Sequence, residues 1–113
     1  MPNKNYRRGY NFERKVRQYL ETLGYFTMRS SGSHTPVDVI ALPRCSRAPD
    51  KFEGAPLLIQ CKTDSALSKK ESVELYNLAL DLNSVPLMAS KNSRGHTVFS
   101  FINYDGTKSE VEL

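Results

Sequence analysis

Residues 57–62 read Leu57-Leu58-Ile59-Gln60-Cys61-Lys62. A continuous apolar start of this length describes a strand covered on both faces, the pattern of an interior strand. Side chains alternate along a strand, so Gln60 and Lys62 project to one side and Leu57, Ile59 and Cys61 to the other. A second run, Val37-Asp38-Val39-Ile40-Ala41-Leu42, is apolar except for one carboxylate. Polar groups at the ends of two such strands can converge on one spot.

Outward from these strands the other elements follow. Residues 7–23 predict a helix whose buried stripe is Phe12, Val16, Tyr19, Leu20 and Leu23, with Gly24 as its stop. Residues 25–29 predict a short strand, and residues 30–36 a Ser- and Gly-rich loop. The connection over 43–56 is long for a compact domain and rich in Pro, Arg and Lys, which often marks function. Ser68 with Glu71 makes a capping box that opens a second helix over 69–83. Residues 87–89 and 98–102 predict the last two strands, joined by a polar turn over 91–95. The order implies an α/β fold: a mixed five-stranded sheet flanked by two helices, in one domain over 1–113.

At 39% hydrophobic and 25% charged residues, the composition is globular rather than disordered. No apolar run is long enough to span a membrane. The opening is polar and basic, and no secretory leader is expected. Cys45 and Cys61 form neither a disulfide framework nor a zinc site by spacing, which suits a reducing intracellular compartment. The net charge of +4 is concentrated at the front, where Lys4, Arg7, Arg8, Arg14, Lys15 and Arg17 face only Glu13. Such a front suits a phosphate backbone held on one face; from charge alone a solvated helix face fits as well.

Polar groups at core positions carry the chemistry. Asp38 offers a carboxylate, Gln60 an amide oxygen and Cys61 a main-chain carbonyl, a set of hard oxygen donors suited to Mg²⁺. Lys62 beside such a cation would orient or deprotonate a water and balance charge at a phosphate. Glu13 sits at the edge of the first helix's buried stripe, where a carboxylate can reach over the strand ends.

The stretches Tyr6-Arg7-Arg8-Gly9, Phe12-Glu13-Arg14, Leu20, Gly24, Met28-Arg29-Ser30-Ser31-Gly32-Ser33 and Val37-Asp38-Val39-Ile40-Ala41 closely resemble the archaeal-type Holliday-junction resolvases. These belong to the PD-(D/E)XK nuclease superfamily, and the resemblance implies a restriction-endonuclease-like fold. It runs from about Tyr6 to Lys62 and continues loosely beyond. It implies that Glu13, Asp38 and Gln60 hold Mg²⁺, with Mn²⁺ able to substitute, and that Lys62 is the catalytic lysine. Arg14, Arg29 and Ser33 would contact the scissile phosphate or the adjoining backbone. Arg7 and Arg8 would lie on a basic N-terminal arm over 1–8 that meets the junction.

Two departures stand out. The family usually has Glu where this chain has Gln60, which removes a negative charge from the metal site while keeping an oxygen. The Gly32–Asp38 and Pro43–Pro56 loops are longer than is typical. Arg44, Arg47 and Lys51 in the second loop would contact DNA or ride on a mobile surface insert.

In the second helix, Val73, Tyr76 and Leu80 make one apolar stripe and Leu75, Leu78, Ala79 and Leu82 another. One stripe can pack on the sheet. The second would join two copies in a homodimer, or be buried within the chain. The expectation is therefore a Mg²⁺-dependent endodeoxyribonuclease of DNA recombination and repair. It would resolve four-way junctions as a homodimer inside the cell, in cytoplasm or nucleoid (a host cell if virus-encoded), with no membrane partner. The alternatives are a related nuclease acting on flaps, nicks or duplex DNA, and a junction-binding protein that has lost catalysis.

Overall fold

The structure is a computed structural model, and it describes residues 4–30, 35–44, 52, 54–63 and 67–113, with the side chains of 4–8 outside that set. Helix α1 (Lys4–Thr22) leads into strands β1 (Tyr25–Arg29), β2 (Val39–Pro43) and β3 (Leu57–Lys62). Helix α2 (Lys69–Asp81) then crosses to β4 (Val85–Lys91), followed by β5 (Thr97–Ile102) and β6 (Lys108–Val111). The six strands lie in sequential order. Only β3 and β4 run parallel, because only they are joined through a helix; every other neighbour pair is antiparallel.

Each helix covers one face of the sheet. Phe12, Val16 and Leu20 of α1 pack with Val39, Ala41, Leu57, Ile59, Leu87, Ala89 and Phe99. Leu75 and Ala79 of α2 pack with Leu58, Met88 and Ile102 on the other face. Leu57, Leu58 and Ile59 are all buried, as an interior strand requires.

The mixed α/β architecture with two flanking helices matches the expectation, with one strand more. β6 is short, polar and exposed along much of its length, so neither alternation nor apolar content marks it. Its signal is the preceding Asp105-Gly106 turn, where Gly106 takes a φ of +88°. Helix α1 starts at Lys4, so the expected arm over 1–8 is helical from that residue and Arg7 and Arg8 fall in its opening turns. Gly24 ends the helix at a φ of +100°. Tyr19 departs from the buried stripe: it is 41% exposed, its ring stacks on Phe99 and its hydroxyl donates to the Leu113 carbonyl. Neither stripe of α2 is wholly free. Leu75 and Ala79 are buried and Tyr76 and Leu78 half-buried, while Leu80 (64% exposed) and Leu82 (54% exposed) are open at the helix's C-terminal end.

Candidate active site

Asp38 stands immediately before β2 and is pinned from both sides. Its N–H donates to the Ile59 carbonyl at 2.8 Å, and its own carbonyl accepts the Ser30 N–H at 2.9 Å. Strand pairing between β2 and β3 reaches the Val39–Ile59 pair. Beyond it, the Cys61 N–H is taken at 2.8 Å by Asp38 Oδ2 in place of a main-chain carbonyl. One carboxylate thus substitutes for a ladder bond and ends the pairing of the two strands. Burial pushes the Asp38 carboxyl above its ordinary value; the Cys61 N–H opposes this, the Glu13 charge adds to it, and Lys62 and Arg29 oppose it. The Cys61 thiol, pushed far up by burial and then by Asp38 and Glu13, is protonated and inert.

Alternation along β3 holds as expected. Ile59 and Cys61 face the α1 layer, and Leu58 faces the α2 layer. Gln60 and Lys62 therefore turn toward α2, and Lys62 Nζ meets Glu71 Oε2 of that helix at 3.2 Å. Among the described residues, the buried Gln60 side-chain oxygen meets no hydrogen-bond donor. An unmet acceptor of this kind costs about 1–3 kcal/mol, which a water or a bound cation would offset.

From the opposite layer, Glu13 on α1 accepts from Arg29 Nε at 2.6 Å, and the Arg29 guanidinium lies 4.8 Å over the Tyr10 ring. Asp38 is the residue between the layers, influenced by Glu13 from one and by Lys62 from the other. Glu13, Asp38, Cys61 and Lys62 are thereby gathered at one end of the sheet, with Gln60 just before Cys61 on β3. Among the described residues, no three His, Cys, Asp or Glu side chains form a ready-made metal cluster.

The other expected contact residues are spread more widely. Arg14 is exposed on α1, adjacent to Glu13 in the chain. Arg44 follows β2 at its other terminus, beside the start of β1, with its guanidinium 5.7 Å over the Phe26 ring. That places it across the length of the strand from Asp38, roughly 17–20 Å away at ~3.4 Å per residue. Ser33, Arg47 and Lys51 lie outside the described residues, as do the side chains of Arg7 and Arg8.

Two charged groups at the site escaped the sequence reading. Glu71 reads there only as a capping residue, and the segment between Lys62 and α2 hides that the two meet. Lys91 reads as the start of a turn, yet it ends β4 with its ammonium 5.4 Å over the Phe12 ring, next to Glu13 in the chain. The parallel pairing of Lys62 with Ser90 is what delivers it there.

No protein-family model matches the chain, and no curated protein matches it. Among solved structures, it is similar to Hjc of Archaeoglobus fulgidus, a Holliday junction resolvase from an archaeal hyperthermophile. The TM-score is 0.61 at 23% identity, over 81% of this chain and 70% of that one. The two chains share a fold: a mixed α/β sheet with a helix on each face.

Proposed function

We propose that this protein is a structure-selective, metal-dependent endodeoxyribonuclease that resolves four-way DNA junctions. The reading rests above all on one juxtaposition. A desolvated carboxylate, Asp38, lies at the strand end that carries an unpaired buried amide oxygen and a lysine, on the fold shared with an archaeal junction resolvase.

The residues present suit a hard divalent cation. Asp38 is pushed toward protonation by burial, and Gln60 has no donor among the described residues; a cation would relieve both. Mg²⁺, or Mn²⁺ in its place, would be held by Asp38, Gln60, the Cys61 carbonyl and Glu13. When bound, it would supply positive charge directly at the reacting phosphate, in addition to that of Lys62. In the net reaction, water adds to phosphorus and the bond to the 3′ oxygen breaks, leaving a 5′-phosphate and a 3′-hydroxyl. Lys62 holds an ammonium beside the attacked group. Arg29 steadies Glu13, and Arg14 with the basic start of α1 engages phosphates on either side. Such contacts position the duplex without reading bases, so junction shape provides selectivity and binding weakens steeply with salt.

Symmetric cutting of a junction needs two such sites, which suits a homodimer. The exposed Leu80 and Leu82 on α2, with Phe26 and Met28 open on β1, supply apolar surface for joining two copies. Genomic DNA as substrate places the activity inside a cell. No helix among the described residues is long and apolar enough to cross a membrane.

The test is purified protein on a synthetic four-way junction, with a linear duplex, a flap and a nicked duplex alongside, in Mg²⁺ or in chelator. Paired symmetric nicks on the junction alone, lost in chelator and in Asp38→Asn, are the expected result. Cleavage confined to flaps, nicks or duplex selects a related nuclease instead. Tight junction binding with no cleavage in Mg²⁺, nor in Mn²⁺ put in its place, selects the non-catalytic reading that the neutral Gln60 favours. Sedimentation of the same sample reports the dimer.

A further inference from the structure

We propose that Glu71 is the positioning residue for Lys62, dividing its two carboxylate oxygens between the cap of α2 and the lysine; this rests on the nuclease reading above. The division is direct. Oε1 accepts the Ser68 N–H at 3.2 Å, and the Glu71 N–H returns a bond to Ser68 Oγ at 3.1 Å. Oε2 is left to meet Lys62 Nζ at 3.2 Å.

Lys62 needs such a partner. It is the last residue of β3, and its four-carbon stem has many rotamers and no ladder beyond it to lean on. Glu71, in contrast, is fixed several times over. The capping box sets its rotamer. The helix that carries it is anchored by Leu75 and Ala79 in the core. Its first turn is braced from outside, where Lys69 and Val73 lie against Gly106 and Lys108 Nζ donates to the Leu67 carbonyl at 3.5 Å. A fixed carboxylate therefore sets the position of a flexible ammonium, and the helix start becomes part of the site.

The competing account is a half-exposed ion pair that contributes little. Two substitutions separate the two. Glu71→Gln keeps an acceptor for the Ser68 N–H, because Gln serves a capping box as Glu does, and removes the anion that faces Lys62. Ser68→Ala removes only the Oγ that accepts the Glu71 N–H; the backbone N–H of residue 68 still holds Glu71 Oε1, so the helix start is weakened while the Glu71–Lys62 pair remains. Four readouts are taken on the full chain: thermal midpoint, junction affinity in chelator, single-turnover cleavage in Mg²⁺, and the ammonium signal of Lys62 in ¹⁵N-lysine-labelled protein without DNA or metal.

Glu71→Gln should melt and bind as wild type, lose the slowly exchanging Lys62 signal, and cleave roughly 10- to 100-fold more slowly. Ser68→Ala should melt lower, keep the Lys62 signal, and cleave within about twofold of wild type when assayed well below its midpoint. The proposal is overturned if Glu71→Gln cleaves at the wild-type rate, if Ser68→Ala loses as much cleavage as Glu71→Gln, or if Glu71→Gln leaves the Lys62 signal unchanged. A wild type without cleavage would sink the nuclease reading instead. The ammonium signal then decides the positioning: lost in Glu71→Gln alone supports it, and any other pattern overturns it.

Discussion

The carboxylate of Asp38 takes the backbone N–H of Cys61 at 2.8 Å, and in doing so ends the pairing of β2 with β3. The same group is destabilised by its burial. A residue that closes a ladder and is held charged against its surroundings has two separable roles.

Asp38→Asn and Asp38→Ala should separate them. An amide oxygen still accepts the Cys61 N–H, so Asn keeps the fold and removes a desolvated charge. Ala leaves that N–H unmet, at about 1–3 kcal/mol. Because burial raises the folded carboxyl, the folded protein binds a proton more readily than the unfolded chain. Its contribution is therefore greatest below the ordinary carboxylate range and is lost as pH rises through the raised value. Chemical unfolding in chelator over about pH 4 to 7 should show Asn gaining on wild type as pH rises. A constant difference would contradict this. Neither variant should cleave.

Gln60 invites the opposite change. Gln60→Glu places a third carboxylate near Asp38 and Glu13, so without metal it should melt lower than wild type. With Mg²⁺ it should recover more than wild type does, since a ligand that binds only the folded state raises the midpoint by mass action. Gln60→Leu, which removes the orphaned oxygen, should match or exceed wild-type stability in chelator and show no response to Mg²⁺. Melting curves with and without the cation check all three proteins.

The Glu13–Arg29 pair is half-buried and short, at 2.6 Å. Arg29→Ala removes the direct partner of Glu13 and, among the described residues, one of the two cations that offset Asp38. It should cost roughly 1–2 kcal/mol, less than a fully buried pair because both partners keep some solvent. Cleavage should fall by about 10²-fold or more, the size seen when one charge-stabilising donor is removed. Arg29→Lys should recover little, since an ammonium cannot reproduce a directed Nε–H while lying over the Tyr10 ring. Urea melts and single-turnover rates would report both.

Gly106 supports the site from a distance. It sits at a φ of +88°, and a Cβ there would meet Lys69 Cγ at 3.2 Å. The lysine stem can move aside; the backbone angle cannot be relieved. Gly106→Ala should cost about 1–2 kcal/mol, read as a lower denaturation midpoint with junction affinity retained. An unchanged midpoint would mean that the β5–β6 turn does not brace α2.

Much of the architecture is legible along the chain because it is written in local patterns. The triplet Leu57-Leu58-Ile59 marks an interior strand, Ser68 and Glu71 mark a helix start, and Gly24 marks a helix end; all three occur where the pattern puts them. The sixth strand was not legible, since Lys108–Val111 is a solvated edge held by pairing rather than by apolar content. Arg44 reads as a loop residue that contacts DNA or rides on a surface insert; its place at the far end of β2 from Asp38 could not be read from the loop's composition.

Period and punctuation are properties of neighbouring residues. The sequence by itself therefore determined the helices, the first five strands, and the shared side of Gln60 and Lys62. It also singled out Asp38 and Gln60 as polar groups inside apolar runs, Lys62 as the charge that closes the second run, and Glu13 at the edge of the helix's buried stripe, which the family resemblance joined into one set. Which charges meet was decided only by the tertiary structure. Glu71 reaches Lys62, Arg29 reaches Glu13 and Lys91 reaches Phe12 through helix docking and strand register. Those placements come from burying two apolar faces on one sheet, a collective balance that no single stretch of the chain encodes.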